Sequence, residues 1–221
     1  MSQFQSFVER TVDPPVRGFL HTPDTPNGDA LVLAHGAGGN ASAPLLVAIA
    51  ETFCEHGYAV LRCDLPFRQE RLFGPPSPAT AVRDRAGLRS AVEAMRKLAT
   101  GRVFLGGHSY GGRQATMLCA EDPEVAGGLL LLSYPLHPPR KPAQLRTQHL
   151  PSLRTPSLFV HGNRDPFGSI EELRAALELI PGKHHLVQVE GAGHDLGYAG
   201  KKKLLVLPGL VFGEFIRQVA G

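Results

Sequence analysis

The stretch Arg102-Val-Phe-Leu-Gly-Gly-His-Ser-Tyr-Gly-Gly-Arg113 runs from a short apolar strand straight into a serine set among small residues, and a helical pattern follows at once. Gly107-His108-Ser109-Tyr110-Gly111 fits G-x-S-x-G, the sharp strand-to-helix turn that lifts a serine hydroxyl above the end of a sheet in a strained conformation. Such a turn leaves little room beside the serine, which accounts for glycine two positions before it and two after. In a chain with 25 glycines a bare match would carry little weight. Here strand, turn and helix all fall where the turn requires them, and Ser109 is read as a nucleophile.

Outward from that turn, apolar runs alternate with amphipathic segments, the pattern of a mostly parallel central sheet with helices on both faces. Ala30 to Ala34 is a continuous apolar run ending in His35-Gly-Ala-Gly-Gly39, a buried strand and a tight loop. A helix follows, with Ser42 as its expected cap, Leu46, Ile49, Ala50 and Phe53 on one face, and Gly57 as its stop. Tyr58 to Asp64 reads as the next strand. Ser77-Pro78 is expected to open a helix that buries Leu88, Val92, Met95 and Leu98 and halts at Gly101. Gly128 to Ser133 has no polar face and belongs in the middle of a covered sheet. Ser157 to His161 and His185 to Glu190 are further strands. Between them Ser169 and Glu172 form a capping box for a helix that Pro181-Gly182 ends. Leu210 to Val219 is expected to close the chain as a helix, and Phe4 to Glu9 with Val16 to His21 to form an antiparallel hairpin at the sheet edge.

At 221 residues the chain is expected to fold as one α/β domain, residues 1–221. A chain of this size buries roughly 70% of its unfolded surface, enough for a core without staples. Its 23 basic and 20 acidic residues are too evenly balanced to point to nucleic acid or a membrane as partner. Cys54, Cys63 and Cys119 are odd in number and far apart, as suits packing thiols in a reducing compartment rather than a disulfide framework. No signal-peptide pattern opens the chain, and the apolar stretch Leu204 to Phe212 is too short to span a bilayer, so a cytoplasmic location is expected.

A serine hydroxyl is a poor nucleophile at neutral pH and needs a base, with a third group orienting that base. In a parallel sheet such groups gather at the carboxyl ends of the strands. Asp165 lies directly after a buried strand, in His161-Gly-Asn-Arg-Asp-Pro-Phe167, and is preferred to Asp195, Asp64 and Asp122. His194 lies in the glycine-rich loop after the last strand and completes the chain order Ser, Asp, His. Attack requires a neutral imidazole, so activity is expected to fall on acidification. The backbone N–H groups of Tyr110, at a helix N-terminus, and of Ala37 are the expected oxyanion donors. No metal-site spacing and no nucleotide-binding glycine pattern is present, so no metal and no cofactor is expected.

Ser109, Asp165, His194 and the His35-Gly36 loop together resemble the α/β-hydrolase superfamily, from about Ala30 onward. Leu33-Ala-His-Gly-Ala-Gly-Gly39, Cys63-Asp-Leu-Pro-Phe-Arg68, Ser133-Tyr-Pro-Leu-His-Pro-Pro139 and Gly162-Asn-Arg-Asp-Pro-Phe167 are similar to small, capless dienelactone-hydrolase-like proteins. That group includes testis-expressed proteins and histone-acetyltransferase-complex subunits of animals. The resemblance implies an α/β-hydrolase fold with no cap domain, and hydrolysis of an ester, thioester or amide without a cofactor. Dienelactone hydrolases use a cysteine nucleophile where this chain has Ser109, which points away from dienelactone opening and toward a serine esterase. The expected partner is a small-molecule ester or thioester; the competing reading is a binding or scaffold protein on the same fold. Arg68, Arg71, Arg140 and Lys141 are candidates to ring the entrance, Arg68 and Arg140 as substrate contacts, although solvated loop charges are the usual role of such residues.

Overall fold

The structure, a computed structural model, describes residues 4–198 and 203–221. Eight strands form one sheet: β1 Phe4–Glu9, β2 Val16–His21, β3 Ala30–Ala34, β4 Ala59–Cys63, β5 Val103–His108, β6 Leu129–Leu132, β7 Ser157–Gly162 and β8 His184–Val189. Their order across the sheet is β1-β2-β4-β3-β5-β6-β7-β8. The β1–β2 hairpin and the β2–β4 pair are antiparallel, and all other pairs are parallel.

Strands apolar on both faces fill both sides of this sheet, because successive side chains point to opposite faces. Val32, Leu105, Leu129 and Leu131 pack with Leu88, Val92 and Met95 of helix α3 (Ala81–Arg96), Leu118 of α4 (Tyr110–Glu121) and Leu173 of α5 (Ile170–Leu177). Leu31, Leu33, Phe104, Leu130 and Leu132 pack on the other side with Leu46, Ile49 and Phe53 of α1 (Pro44–Glu55) and Val211 and Phe215 of α6 (Leu207–Phe215). Phe53 meets the rings of Tyr58, Phe212 and Phe215 edge-on, at centroid separations of 5.4, 5.1 and 5.3 Å. Truncating a ring so placed costs about 3–5 kcal/mol.

Helix starts depart from the expected caps for local reasons. Ala43, not Ser42, precedes α1, and Pro44 opens it. Asn40 Oδ1 accepts from the Ser42 N–H at 2.8 Å, so the entering turn is built by asparagine. Ser77 caps nothing with its hydroxyl: Pro78–Thr80 is a 3-10 turn, and α3 begins after it. That helix ends at Arg96, which leaves Leu98 52% exposed rather than on the buried face. The closing helix begins at Leu207, three residues early, with Pro208 in its first turn where no N–H is needed, and it ends in a π-type turn, Ile216–Ala220. A short helix, α2 (Pro66–Glu70), was not expected. The capping box forms as expected, with Ser169 Oγ accepting from the Glu172 N–H at 3.2 Å and Glu172 Oε2 from the Ser169 N–H at 2.8 Å.

Parallel pairing brings the functional loops to one edge. Ala34 lies opposite Gly107, which sets the loop after β3 beside the serine turn, and Gly162 lies opposite Val189, which sets the loops after β7 and β8 side by side. Between β6 and β7 the chain makes turns and one 3-10 turn, Leu150–Ser152, and no cap domain.

Candidate active site

Ser109 sits between β5 and α4 with φ 52° and ψ −114°. A side chain rarely takes that backbone conformation, and its surroundings must hold it there. The glycines flanking it are required by close approach: a Cβ at Gly107 would lie 2.5 Å from Ala34 O, and one at Gly111 2.7 Å from His35 O. The elbow therefore packs directly on the backbone at the end of β3. The Tyr110 hydroxyl donates to Asp84 Oδ2 at 2.7 Å while the Phe67 N–H donates to Asp84 Oδ1 at 3.0 Å. One buried carboxyl thus ties α2, α3 and α4 together at the residue after the serine, and burial raises its pKa.

The three side chains singled out by chain order meet. Ser109 Oγ lies 2.8 Å from His194 Nε2, and His194 Nδ1 lies 2.7 Å from Asp165 Oδ2. The carboxylate only accepts, so the proton of the neutral ring sits on Nδ1 and Nε2 presents its lone pair to the hydroxyl. Asp165 is held in turn by the Phe167 N–H, which donates to Oδ1 at 2.8 Å. The Phe167 ring stacks on the imidazole at a centroid distance of 4.2 Å. His108 Nε2 donates to the backbone carbonyl of His194 at 2.7 Å and so fixes the loop that carries it. Burial lowers the His108 pKa to about 4, which keeps that ring neutral. His161 and His35 are likewise buried, with lowered pKa values, and bind backbone: His161 Nε2 donates to Gly168 O at 2.9 Å, and His35 Nδ1 to Gly36 O at 2.8 Å.

The two residues expected to supply the oxyanion donors line one cavity. Tyr110 is the first residue of α4, where the backbone N–H has no carbonyl a turn earlier in its helix, and Ala37 lines the same cavity as Ser109. That cavity encloses about 890 Å³. Its lining includes the apolar Ala43, Pro75, Pro76, Pro78 and Val82 and the polar Arg85, Arg113, Gln114 and Arg146.

The arginines named from sequence lie elsewhere. Arg140 is exposed and is not among the residues lining this cavity. Arg68 is buried, and its guanidinium is spent on backbone carbonyls. Nε donates to Gly39 O at 2.8 Å, Nη2 to Ala37 O and Gly74 O at 2.9 and 3.1 Å, and Nη1 to Leu72 O and Arg71 O at 2.7 and 3.2 Å. It is neither a solvated loop charge nor placed for substrate: it clasps the Ala37 loop to the segment that leads into the cavity-lining prolines. Arg85, Arg113 and Arg146 were missed. For Arg113 a signal existed, since it falls four residues after Ser109 and so on the same helical face.

Among the described residues, no group of three or more His, Cys, Asp or Glu side chains is placed to hold a metal, and no helix is long and apolar enough to cross a membrane. The cysteines are all buried, and burial pushes the Cys63 and Cys119 thiols up to about 12.

A serine elbow, an imidazole and a carboxylate at the carboxyl edge of a mostly parallel, capless sheet define a class of protein, and comparison with known proteins agrees. Residues 27–204 match the model of the alpha/beta hydrolase domain, and the chain belongs to that family. It is 32% identical over 120 residues to a 2-hydroxy-6-oxononadienedioate/2-hydroxy-6-oxononatrienedioate hydrolase of a Pseudomonas species, a match covering 53% of this chain. The match spans 41% of that curated relative's length. Among solved structures, dienelactone hydrolase from Anabaena variabilis superimposes with a TM-score of 0.75 at 22% identity, covering 99% of both chains. An α/β serine hydrolase without lid from Xanthomonas campestris gives 0.73 at 18% identity, covering 98% of this chain and 94% of the other. At these identities the two structures share the fold, that of the small capless α/β-hydrolases.

Proposed function

We propose that the protein is a serine hydrolase that cleaves carboxylic esters or thioesters through an acyl-enzyme. The observation that carries this reading is the unbroken hydrogen-bond line from Ser109 Oγ through His194 to Asp165, with links of 2.8 and 2.7 Å. As Ser109 Oγ attacks the acyl carbon, its proton passes to His194 Nε2. Asp165, hydrogen-bonded at Nδ1, steadies the imidazolium that forms. The carbonyl oxygen becomes an anion between the Ala37 and Tyr110 amides, helped by the N-terminus of α4. Collapse expels the alcohol or thiol, which takes the proton back from His194. Water then repeats the sequence on the acyl-enzyme and frees the acid and Ser109.

A fluorophosphonate probe tests this directly. It is expected to label the wild-type protein at Ser109 and to spare Ser109→Ala, whose turnover of p-nitrophenyl esters and acyl thioesters falls by about 10⁴-fold or more. Equal labelling of both proteins, or an ester and thioester panel no faster than the Ser109→Ala control, would sink the assignment and favour a binding role for the same pocket.

A further inference from the structure

The lining of the Ser109 cavity holds more positive charge and more unused donors than its own architecture consumes. Arg85, Arg113 and Arg146 line it, and no Asp or Glu does. Arg85 has a nearby counter-charge, since Glu121 Oε1 lies 3.1 Å from its Nε, out of line for a hydrogen bond. Among the described residues, neither Arg113 nor Arg146 has a carboxylate within 4 Å, and Arg113 Nε is buried with no hydrogen-bond partner. Arg146 spends one contact on Pro135 O, at 3.2 Å. The two guanidiniums also repel one another: Arg146 has its pKa lowered by burial and then by Arg113.

Gln114 adds a second and independent sign. Its side chain is fully buried, and Arg85 Nη1 donates to its Oε1 at 3.3 Å, which orients the amide. The Nε2 donor is left without a partner, on a residue that lines the cavity. Buried donors are normally satisfied, because leaving one unmade costs more than a typical hydrogen bond gains. Surplus guanidinium donors on Arg113 and Arg146 and an orphaned amide donor on Gln114, all on residues lining one cavity, are matched by one kind of ligand: an anionic group with several acceptor oxygens.

We infer that Arg113, Arg146 and Gln114 form a subsite for a carboxylate or phosphate group that the substrate carries away from its scissile carbonyl. The preferred substrates are then acidic esters or thioesters, of the kind a dicarboxylic half-ester represents. This deepens the serine-hydrolase reading and rests on it. Arg85 acts through Gln114, as a positioning residue.

Two measurements separate the outcomes. The first compares kcat/KM for the p-nitrophenyl half-ester of glutaric acid with that for p-nitrophenyl butyrate. The wild-type protein is expected to favour the half-ester by about ten- to a hundredfold, as one to two charge-assisted hydrogen bonds warrant, and Arg146→Gln and Arg113→Gln each to bring the ratio toward one. A wild-type ratio near one, or a ratio untouched in both folded variants, overturns the subsite while leaving the hydrolase intact. The second uses calorimetric binding of glutarate and of inorganic phosphate to Ser109→Ala, which needs no turnover. Saturable binding of either, weakened at least tenfold by adding Arg146→Gln, supports the subsite even if no ester is cleaved, and the tighter of the two anions identifies the group. No binding of either overturns it. If Arg146→Gln fails to fold, Arg113→Lys replaces it: the charge stays, the planar fork is lost, and binding is again expected to weaken.

Discussion

Arg68, which holds the Ala37 loop, and the cavity-lining pair Arg113 and Arg146 spend their hydrogen-bond capacity in opposite ways. Arg68 gives its donors to five backbone carbonyls and is finished, a rivet between the Ala37 loop and residues 71–74. Arg113 and Arg146 line the cavity with donors to spare and no carboxylate beside them. An arginine satisfied by the main chain defines shape; one left wanting in a concave wall awaits a ligand. Residue type and position in the chain do not separate the two cases, but the count of satisfied donors does.

That contrast can be broken by mutation. The largest effect is expected for Arg68→Met, which orphans buried carbonyls and frees the loop carrying Ala37. Stability should drop by about 3 kcal/mol in urea unfolding, and kcat on a neutral ester should fall on the order of 10²-fold with KM little changed. Arg68→Lys should recover only a small part, because an ammonium cannot span carbonyls on two segments. Arg113→Met is expected to do the reverse, holding its urea midpoint near wild type while losing selectivity for acidic esters by about tenfold or more. If Arg68→Met keeps its stability or Arg113→Met loses several kcal/mol, the distinction fails.

A smaller effect lies in pH. His149 Nε2 meets Thr116 Oγ1 at 2.8 Å, and burial, then the neighbouring Arg113 and Arg85, lower its pKa from 6.5 to about 4. A group whose folded pKa is depressed takes up its proton more readily when unfolded. Its contribution is therefore full above pH 6.5 and is lost as pH falls toward 4. Arg113→Met should bring the folded value back toward the ordinary one and flatten the acid limb, measured as urea midpoint against pH. Salt should act least: raising ionic strength from about 0.02 to 0.5 M is expected to shrink the half-ester preference a few-fold, since charges in a half-buried wall are only partly screened.

Continuous apolar runs made β3 and β6 legible, because a strand buried on both faces is apolar throughout, and the order of strands and helices placed the others from Ala30 onward. The chain order of Ser109, Asp165 and His194 was legible as well, since parallel pairing delivers every strand-end loop to one edge. What could not be read were outcomes of competition between near neighbours. Asn40 rather than Ser42 builds the turn into α1, and whether Arg68 or Arg146 faces a ligand depends on carbonyls contributed by segments far away in the chain.

The backbone of Ser109 carries one last consequence. A φ of 52° is tolerated readily by glycine and at a cost of about 1–3 kcal/mol by other residues. On the proposed reading, the attacking hydroxyl is therefore installed where the fold would rather have none, and robustness and reactivity are opposed at this one position. A descendant released from chemistry would gain ruggedness by drifting to glycine there, so the persistence of serine at the elbow would itself mark a lineage still under selection to turn over its substrate.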